Sequence, residues 1–419
     1  MELDELKKSW NALNEQLQKE PIADEQQITE LIAGYKANTR KSLGRLVVIQ
    51  RFSIGIGTIC LATLLLIWLL LPTFGFNEQL QEKIVPFLGF IAISILAGMW
   101  WDWKTYRWNK NTHIEEMSVA EVSRRMTTFR QWTKYEVMGI SIWSILFNIL
   151  YGTFAGITRF DTKEVEYRSA NIPEGFDGYR IVQISDIHIG SWQGNPDPIK
   201  QLVDLVNGQK PDLIVFTGDL VNQQSHELDG FQEILSQLYA PDGVYSILGN
   251  HDYGSYYHWQ SPKAEIANLD YLIRQQKAMG WKLLNNEHDI LYHKGDSIAL
   301  IGVENDGEPP FSQFADLPQA MQGTEGMFQI LLSHNPTHWR REVLPRSDIS
   351  LMLAGHTHAM QGILFGHSLA ELIYPEWRGM YYEGKRALYV NIGIGYVGLP
   401  FRFGAWPEIT VLKLVREKE

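Results

Sequence analysis

The sequence predicts an α/β protein in which two stacked β-sheets are flanked by helices, preceded by a helical module suited to a membrane. Three observations carry this expectation. Three long uncharged runs, 52–76, 84–101 and 137–158, crowd the first part of the chain. From about Arg159 onward, short apolar runs alternate with helix-like segments under Gly and Pro punctuation, the pattern of parallel βαβ units. Five of those short runs end in Asp, His or Asn, at the position where open α/β sheets place ligand chemistry.

At 419 residues the chain has room for two or three units and a large buried core. Its formal net charge of −11 argues against a nucleic-acid-binding surface, which is normally basic. The single cysteine, Cys60, lies inside an apolar run. It leaves no disulfide framework and no thiolate metal site. Trp residues gather at the edges of the apolar segments, the placement that membrane interfaces favour.

Leu3, Leu6, Trp10, Leu13 and Leu17 fall at steps of three and four. They form one apolar stripe on a helix that Pro21 ends. Two heptads are too few for a coiled coil, so this is a short amphipathic helix expected to dock on a partner. Asp24, with Gln27 three residues on, suits the N-cap of a second helix, which turns basic at Lys36, Arg40, Lys41, Arg45 and Arg51. The run 52–76 is long enough to span a bilayer with some tilt and starts too late for a signal peptide. The run 84–101 is shorter and contains Pro86; the run 137–158 lies between Glu136 and Arg159. Basic residues precede the first run and recur between the second and third at Lys104, Arg107, Lys110, Arg124 and Arg125. With three spans and those segments inside, everything after Arg159 falls on the extracytoplasmic side. The expected division is 1–48 as a cytoplasmic helical segment, 49–158 as about three transmembrane helices, and 159–419 as the globular domain.

In that domain Tyr179–Ser185 leads into Asp186-Ile187-His188, and Leu213–Phe216 into Gly218-Asp219. Val244–Leu248 leads into Gly249-Asn250-His251-Asp252, Phe328–Ser333 into His334, and Ser350–Ala354 into Gly355-His356-Thr357-His358. Asp197–Gly208, Asp229–Tyr239 and Pro262–Gly280 have the look of intervening helices. Beyond Gly280, turn signals at Asn285-Asn286 and Lys294-Gly295-Asp296 suit a second, more antiparallel sheet. Taken singly, each motif is ordinary: Gly-Asp is usually a turn, a His pair a solvated loop, His334 a core histidine, Asn250 a cap. All five in one order, each just past a strand, carry metal-ligand chemistry. Asp219 is the natural bridge between two divalent cations. Asp186 with His188, and His356 with His358, share an i, i+2 spacing, while Asn250 offers a carbonyl oxygen and His334 a further nitrogen. A thiolate-free Asp/His/Asn shell suits Mn, Fe or Zn, and such cations lower the pKa of water toward neutrality. Asp252 either orients His251 or caps a helix. His226, His258 and the aromatic loop 253–259 either shape a pocket or pack as ordinary loop.

This ordered set, Asp-x-His, Gly-Asp, Gly-Asn-His-Asp, a lone His and Gly-His-x-His, resembles the calcineurin-like metallophosphoesterase superfamily. Ile181–His188 and Leu331–Pro336 are similar to its bacterial membrane-associated branch, and the resemblance covers roughly 160–419. It implies an αββα sandwich with a dinuclear site. It assigns Asp186, His188 and His358 to one metal, Asn250, His334 and His356 to the other, and Asp219 to both. His251 then stands beside the phosphoryl group as hydrogen-bond donor or general acid, during in-line attack of metal-bound hydroxide on phosphorus. The segment from Tyr389–Gly393 through Pro400 and Arg402 to Ile409 resembles the branch's closing segment, although some relatives carry a basic residue where Ile392 stands. Relatives in this branch include enzymes that act on UDP-diacylglucosamine, so the resemblance implies, as a candidate, a phosphodiesterase or pyrophosphatase in a bacterial inner membrane, acting on a phosphorylated small molecule or lipid. The expected partners are the bilayer and a protein at the amphipathic N-terminal helix. The alternative is a membrane-embedded interaction or sensing protein whose metal-binding domain is regulatory.

Overall fold

A computed structural model of the protein describes residues 25–70 and 78–417. The amphipathic stripe at 3–17, the Asp24 cap and the last residues of the 52–76 run lie outside them. The chain divides into two compact units, Met1–Ile142 and Trp143–Glu419.

The second unit holds twelve strands among the described residues. They are β1 (Asp161–Ser169), β2 (Arg180–Ile184), β3 (Leu213–Phe216), β4 (Val244–Ser246), β5 (Lys282–Leu283), β6 (Glu287–His293), β7 (Asp296–Gly302), β8 (Gln329–Leu332), β9 (Leu351–Ala354), β10 (Gly379–Glu383), β11 (Arg386–Val390) and β12 (Glu408–Arg416). One sheet has the order β1-β12-β2-β3-β4-β5 and the other β10-β11-β9-β8-β7-β6. Ile181, Leu213 and Val215 from the first sheet meet Leu300, Ile330 and Leu351 from the second in a core between the sheets. The alternate residues Val182, Ile184, Ile214 and Phe216 pack outward under Leu202 and Leu272 of the helices Asp197–Gly208 and Pro262–Ala278. On the far side Ile301, Leu331 and Met352 pack against Trp339 and Val343. The central strands are therefore covered on both faces, which is why β3, β8 and β9 are almost wholly apolar and buried throughout rather than alternating. The expected αββα sandwich is the architecture observed.

The second sheet differs from the antiparallel expectation. It is antiparallel only at its edges, β6/β7 and β10/β11, and parallel from β11 through β9 and β8 to β7. The segments after β7 and β8 contain Leu317–Met321 and Trp339–Arg346, so they are crossovers rather than hairpins. The β6–β7 hairpin does turn at Lys294 and Gly295, both at positive φ, as a two-residue type I′ connection requires. The segment Asp229–Tyr239 forms only one helical turn, Gln232–Leu235. Gly230 at φ 89° precedes it, and Asn207 clamps its exit by bonding Gln237 O and Tyr239 N.

In the first unit the helices Glu25–Leu70 and Glu78–Lys110 are joined by a polar belt. Gln50 Nε2 donates to Thr105 Oγ1 (2.7 Å), Asn109 Nδ2 to Gln50 Oε1 (3.2 Å) and Arg51 to Tyr106. Beyond that belt Ile56, Ile59, Leu65 and Leu66 point outward and are more than half exposed. Apolar side chains arrayed outward in this way suit lipid contact rather than water. Among the described residues two helices are long and apolar enough to cross a membrane, Gln26–Leu66 and Val119–Thr158. The helix Glu78–Lys110 carries the 84–101 run, whose residues 84–87 lie outside the described side chains.

Leu332 and Leu353 are fully buried between the sheets. Replacing either by Ala should cost about 2–5 kcal/mol, seen as a lower urea midpoint for the second unit with an unchanged slope.

Candidate functional site

The motif loops after β2, β3 and β9 turn tightly as soon as their strands end. Asp186, His188, Asp219, His356 and His358 all have φ between 44° and 74°, a left-handed region that non-glycine residues mostly avoid. Strain of this kind collects at functional sites, where the surroundings over-determine it. Two glycines permit the loops to meet. A Cβ at Gly355 would overlap Ser185 and the Asp186 carboxylate, and one at Gly249 would overlap the Asp219 carboxylate.

The loops from β2, β3 and β4 in one sheet and from β8 and β9 in the other converge on two adjoining groups of donors. Asp186, His188 and His358 form the first, with ligand atoms all within 4.8 Å of one another. His358 Nε2 lies 3.2 Å from Asp186 Oδ1 and 3.0 Å from His188 Nε2. Asp219, His334 and His356 form the second. His334 Nε2 lies 3.2 Å from Asp219 Oδ2, from Asn250 Oδ1 and from His356 Nδ1. Asp219 Oδ2 is also 3.7 Å from His188 Nε2, so this one oxygen faces both groups. His251 accompanies His188 and Asp219 in a third grouping that overlaps the other two. Every predicted site residue is thus in one place.

The donor set fits divalent cations. His188 Nδ1 lies 3.2 Å from Val221 O and His334 Nδ1 lies 2.7 Å from Thr217 O. Each Nδ1 holds a proton for that carbonyl, which turns Nε2 of each ring toward the cluster. Asn250 Nδ2 donates to Tyr256 Oη (3.0 Å), which turns the amide oxygen inward. His358 is the exception. Arg402 Nη2 donates to its Nδ1 (2.8 Å), so the proton of a neutral ring sits on Nε2 toward Asp186. Holding a cation there displaces that proton or swings the ring.

Burial and neighbouring charge set the protonation of the cluster. Burial pulls His188, His356 and His358 below the usual imidazole range, His356 to about 3 with the His334 charge adding to the effect. Burial acts on His334 in the same sense, but the Asp219 carboxylate outweighs it and holds the ring up to about 9. Asp186 and Asp219 are fully buried, yet the imidazoles beside them overcome that cost and keep both below the usual carboxylate range.

Several supporting residues come from segments with no motif. His251 Nδ1 is held by Asn222 O at 2.6 Å, its backbone N–H donates to Asp219 Oδ1, and its ring packs on Tyr256 with centroids 4.3 Å apart. Tyr374 Oη lies 3.1 Å from His356 Nε2. The fully buried Arg402 guanidinium also donates to the carbonyls of Gly395, Ala405 and Ile392. Asp252 neither faces His251 nor caps a helix: its carboxylate accepts N–H bonds from Gly249, Asp219, Leu220 and Val221. His226 pairs with Asp229 on the exposed surface, and His258 is exposed. A separate group, Asp306, His338 and Glu342, is closed by ion pairs from Arg341 and Arg346.

Because His334 holds a proton at neutral pH, cation binding must expel it. Calorimetric titration with Mn²⁺ at pH 7 in buffers of different ionisation heats should show net proton release. Affinity should rise with pH and level off near the His334 value of about 9. Binding without proton release would place the cation elsewhere.

The family model for calcineurin-like phosphoesterases matches residues 179–360. The chain is 32% identical over 306 residues to a Danio rerio protein described as a transmembrane protein with a metallophosphoesterase domain, covering 70% of this chain and 65% of that one. It is 34% identical over 282 residues to the Bacillus subtilis metallophosphoesterase YkuE, covering 63% of this chain and 88% of that one. Among solved structures, the phosphopantetheinyl hydrolase PptH of Mycobacterium tuberculosis is 14% identical with a TM-score of 0.33, covering 53% of this chain and 91% of that one. With the ordered motifs gathered in one site and a relative matched over most of its length, this chain belongs to the calcineurin-like metallophosphoesterase family.

Proposed function

We propose that the protein is a membrane-anchored phosphoesterase that uses two divalent cations, of the Mn, Fe or Zn kind, to hydrolyse a phosphodiester or pyrophosphate bond carried by a lipid. The observation that supports this reading is the doubled donor set sharing one carboxylate oxygen. Asp186, His188 and His358 would hold one cation and Asn250, His334 and His356 the other, with the Asp219 carboxylate beside both groups. When bound, the cations supply positive charge against the phosphoryl oxygens and acidify a water. The remaining work falls to the chain. His251 keeps a proton on Nδ1 for Asn222 O, so Nε2 is the atom that exchanges a proton with the leaving oxygen. Tyr256 stacks on that ring and fixes its plane, and the Asp219 carboxylate fixes its backbone.

Turnover of an aryl phosphodiester and of the matching monoester with Mn²⁺ tests the reading. Chelation should abolish turnover. His251→Ala should lower kcat by about 10²–10⁴-fold with cation content unchanged, whereas Asp219→Asn should lose cations and activity together. Two cations bound without turnover of either ester would overturn the proposal.

We place residues 159–419 on the extracytoplasmic side of a bacterial inner membrane, anchored by residues 49–158, with 1–48 inside. The distribution of Lys and Arg supports this arrangement when the span count is odd. Two spans would return the chain to the side on which it starts, so parity decides. A reporter pair fused after Glu419 reads it directly: active alkaline phosphatase with dark green fluorescent protein supports the placement, and the converse reverses it.

A further inference from the structure

Beside the site lies an apolar surface that catalysis does not use. Just past His358 the chain runs through Ala359, Met360 and Gln361, all at positive φ. Gln361 then fastens this loop to a second one: its side chain accepts from Val397 N and donates to Leu399 O, and its carbonyl accepts from Phe403 N. Both loops are firmly built. Ile363, Ala370, Trp377, Ile392 and Ala405 form a small core beneath them, and Ser368 and Glu371 close a capping box on the turn Leu369–Leu372. Yet Leu364, Phe365, Leu369, Leu372, Ile373 and Leu399 face outward, from 56% exposed at Leu364 to 93% at Phe365. A concentration of large apolar side chains on an ordered rim marks an interaction surface.

The loop that carries Leu399 is fastened to the end of an apolar helix. Within the same unit, Arg402 N donates to Gly152 O (3.1 Å), and Tyr151 packs edge-on against Phe403 and Trp406 at 6.2 and 5.8 Å. Gly152 and Tyr151 belong to the last turn of Val119–Phe154, the apolar helix suited to a membrane span. The loop that carries Leu399 is therefore tied to the point where the chain would leave a bilayer. The same loops also hold the donor set, through Arg402 on His358 and Tyr374 on His356.

We propose that this rim is a lipid-docking surface. It seats in the interfacial layer of the bilayer and presents the donor set to a phosphate at headgroup depth on a membrane lipid. The docking rests on the rim alone; the lipid phosphate as substrate rests on the phosphoesterase reading above.

Cys60 is the only cysteine, so the full-length Cys60→Ser protein accepts one environment-sensitive fluorophore at Phe365→Cys, at Leu372→Cys, or at Tyr292→Cys. Tyr292 is 76% exposed on β6 and serves as the control. In phosphatidylglycerol/phosphatidylethanolamine proteoliposomes the labels at 365 and 372 should be blue-shifted and quenched by spin-labelled lipid, and the label at 292 should not. Behaviour at 365 and 372 matching that at 292 would overturn the proposal. So would labels that are shielded from water yet untouched by the lipid quencher, which would point to a protein partner or a second copy. In the second arm, the Phe365→Ser/Leu372→Ser protein should lose roughly tenfold or more of its turnover of a fluorescent phospholipid phosphodiester in the bilayer, with a soluble aryl phosphodiester unaffected. Equal loss on both substrates would overturn lipid presentation. Quenched labels in a parent protein that turns over neither ester would remove the phosphoesterase reading and leave the docking surface in place.

Discussion

One buried carboxylate holds the site in shape. Asp252 accepts backbone N–H bonds from the Gly249 loop and from three consecutive residues of the Asp219 loop. Those amides face away from water and would otherwise be unsatisfied, at a cost of several kcal/mol in all. Burial and the neighbouring Asp219 push the Asp252 carboxyl up to about 7, a measure of how far the fold bends ordinary chemistry to keep it there. Glu227 repeats the device next door, accepting the N–H groups of Asn222, Gln223 and Gln224. The carbonyl of Asn222 is thereby set for His251. Two buried acids that ligate nothing thus fix the positions of the groups that do.

The convergence they enforce crowds ionisable groups into one small volume. Imidazole nitrogens face each other at 3.0 Å and 3.2 Å, and two carboxylates share the same dry space. Nitrogen lone pairs at such range are tolerated only if a proton or a metal stands between them. A cation that binds there only in the folded state would stabilise the second unit as its concentration rises.

The motifs that carry the chemistry were legible in the sequence because each sits at a fixed offset past a buried strand. The pleat and twist of parallel strands bring such ends together whatever the intervening helices do. The paired sheets were legible for the same reason. What could not be read is what arrives from elsewhere in space: Arg402 at His358, Tyr374 at His356, the Asn222 carbonyl at His251. None of these has a local pattern, since a single side chain or carbonyl earns its place only through tertiary contact. The parallel centre of the second sheet escaped because its crossovers contain helices of a few residues, too short for a periodic signal. Asp252 was misjudged because its neighbours in sequence, His251 and the following loop, are not its partners in space.

The aromatic seam around Gly152 has a bearing on how the second unit can be separated from the helices that precede it. Gly156 lies so close to the Arg402 carbonyl that it admits no side chain, and Arg159 stacks on the Trp406 ring at 4.5 Å. A fragment beginning at Arg159 lacks Tyr151 and Gly152, and it bares the rings of Phe401, Phe403 and Trp406 just where the chain must turn to deliver Arg402 to the donor set. Cutting there removes apolar residues that look dispensable in sequence but serve as the lid of that corner. A soluble form of the enzyme is better sought by keeping the last turns of the helix and making their outer face polar than by deleting them.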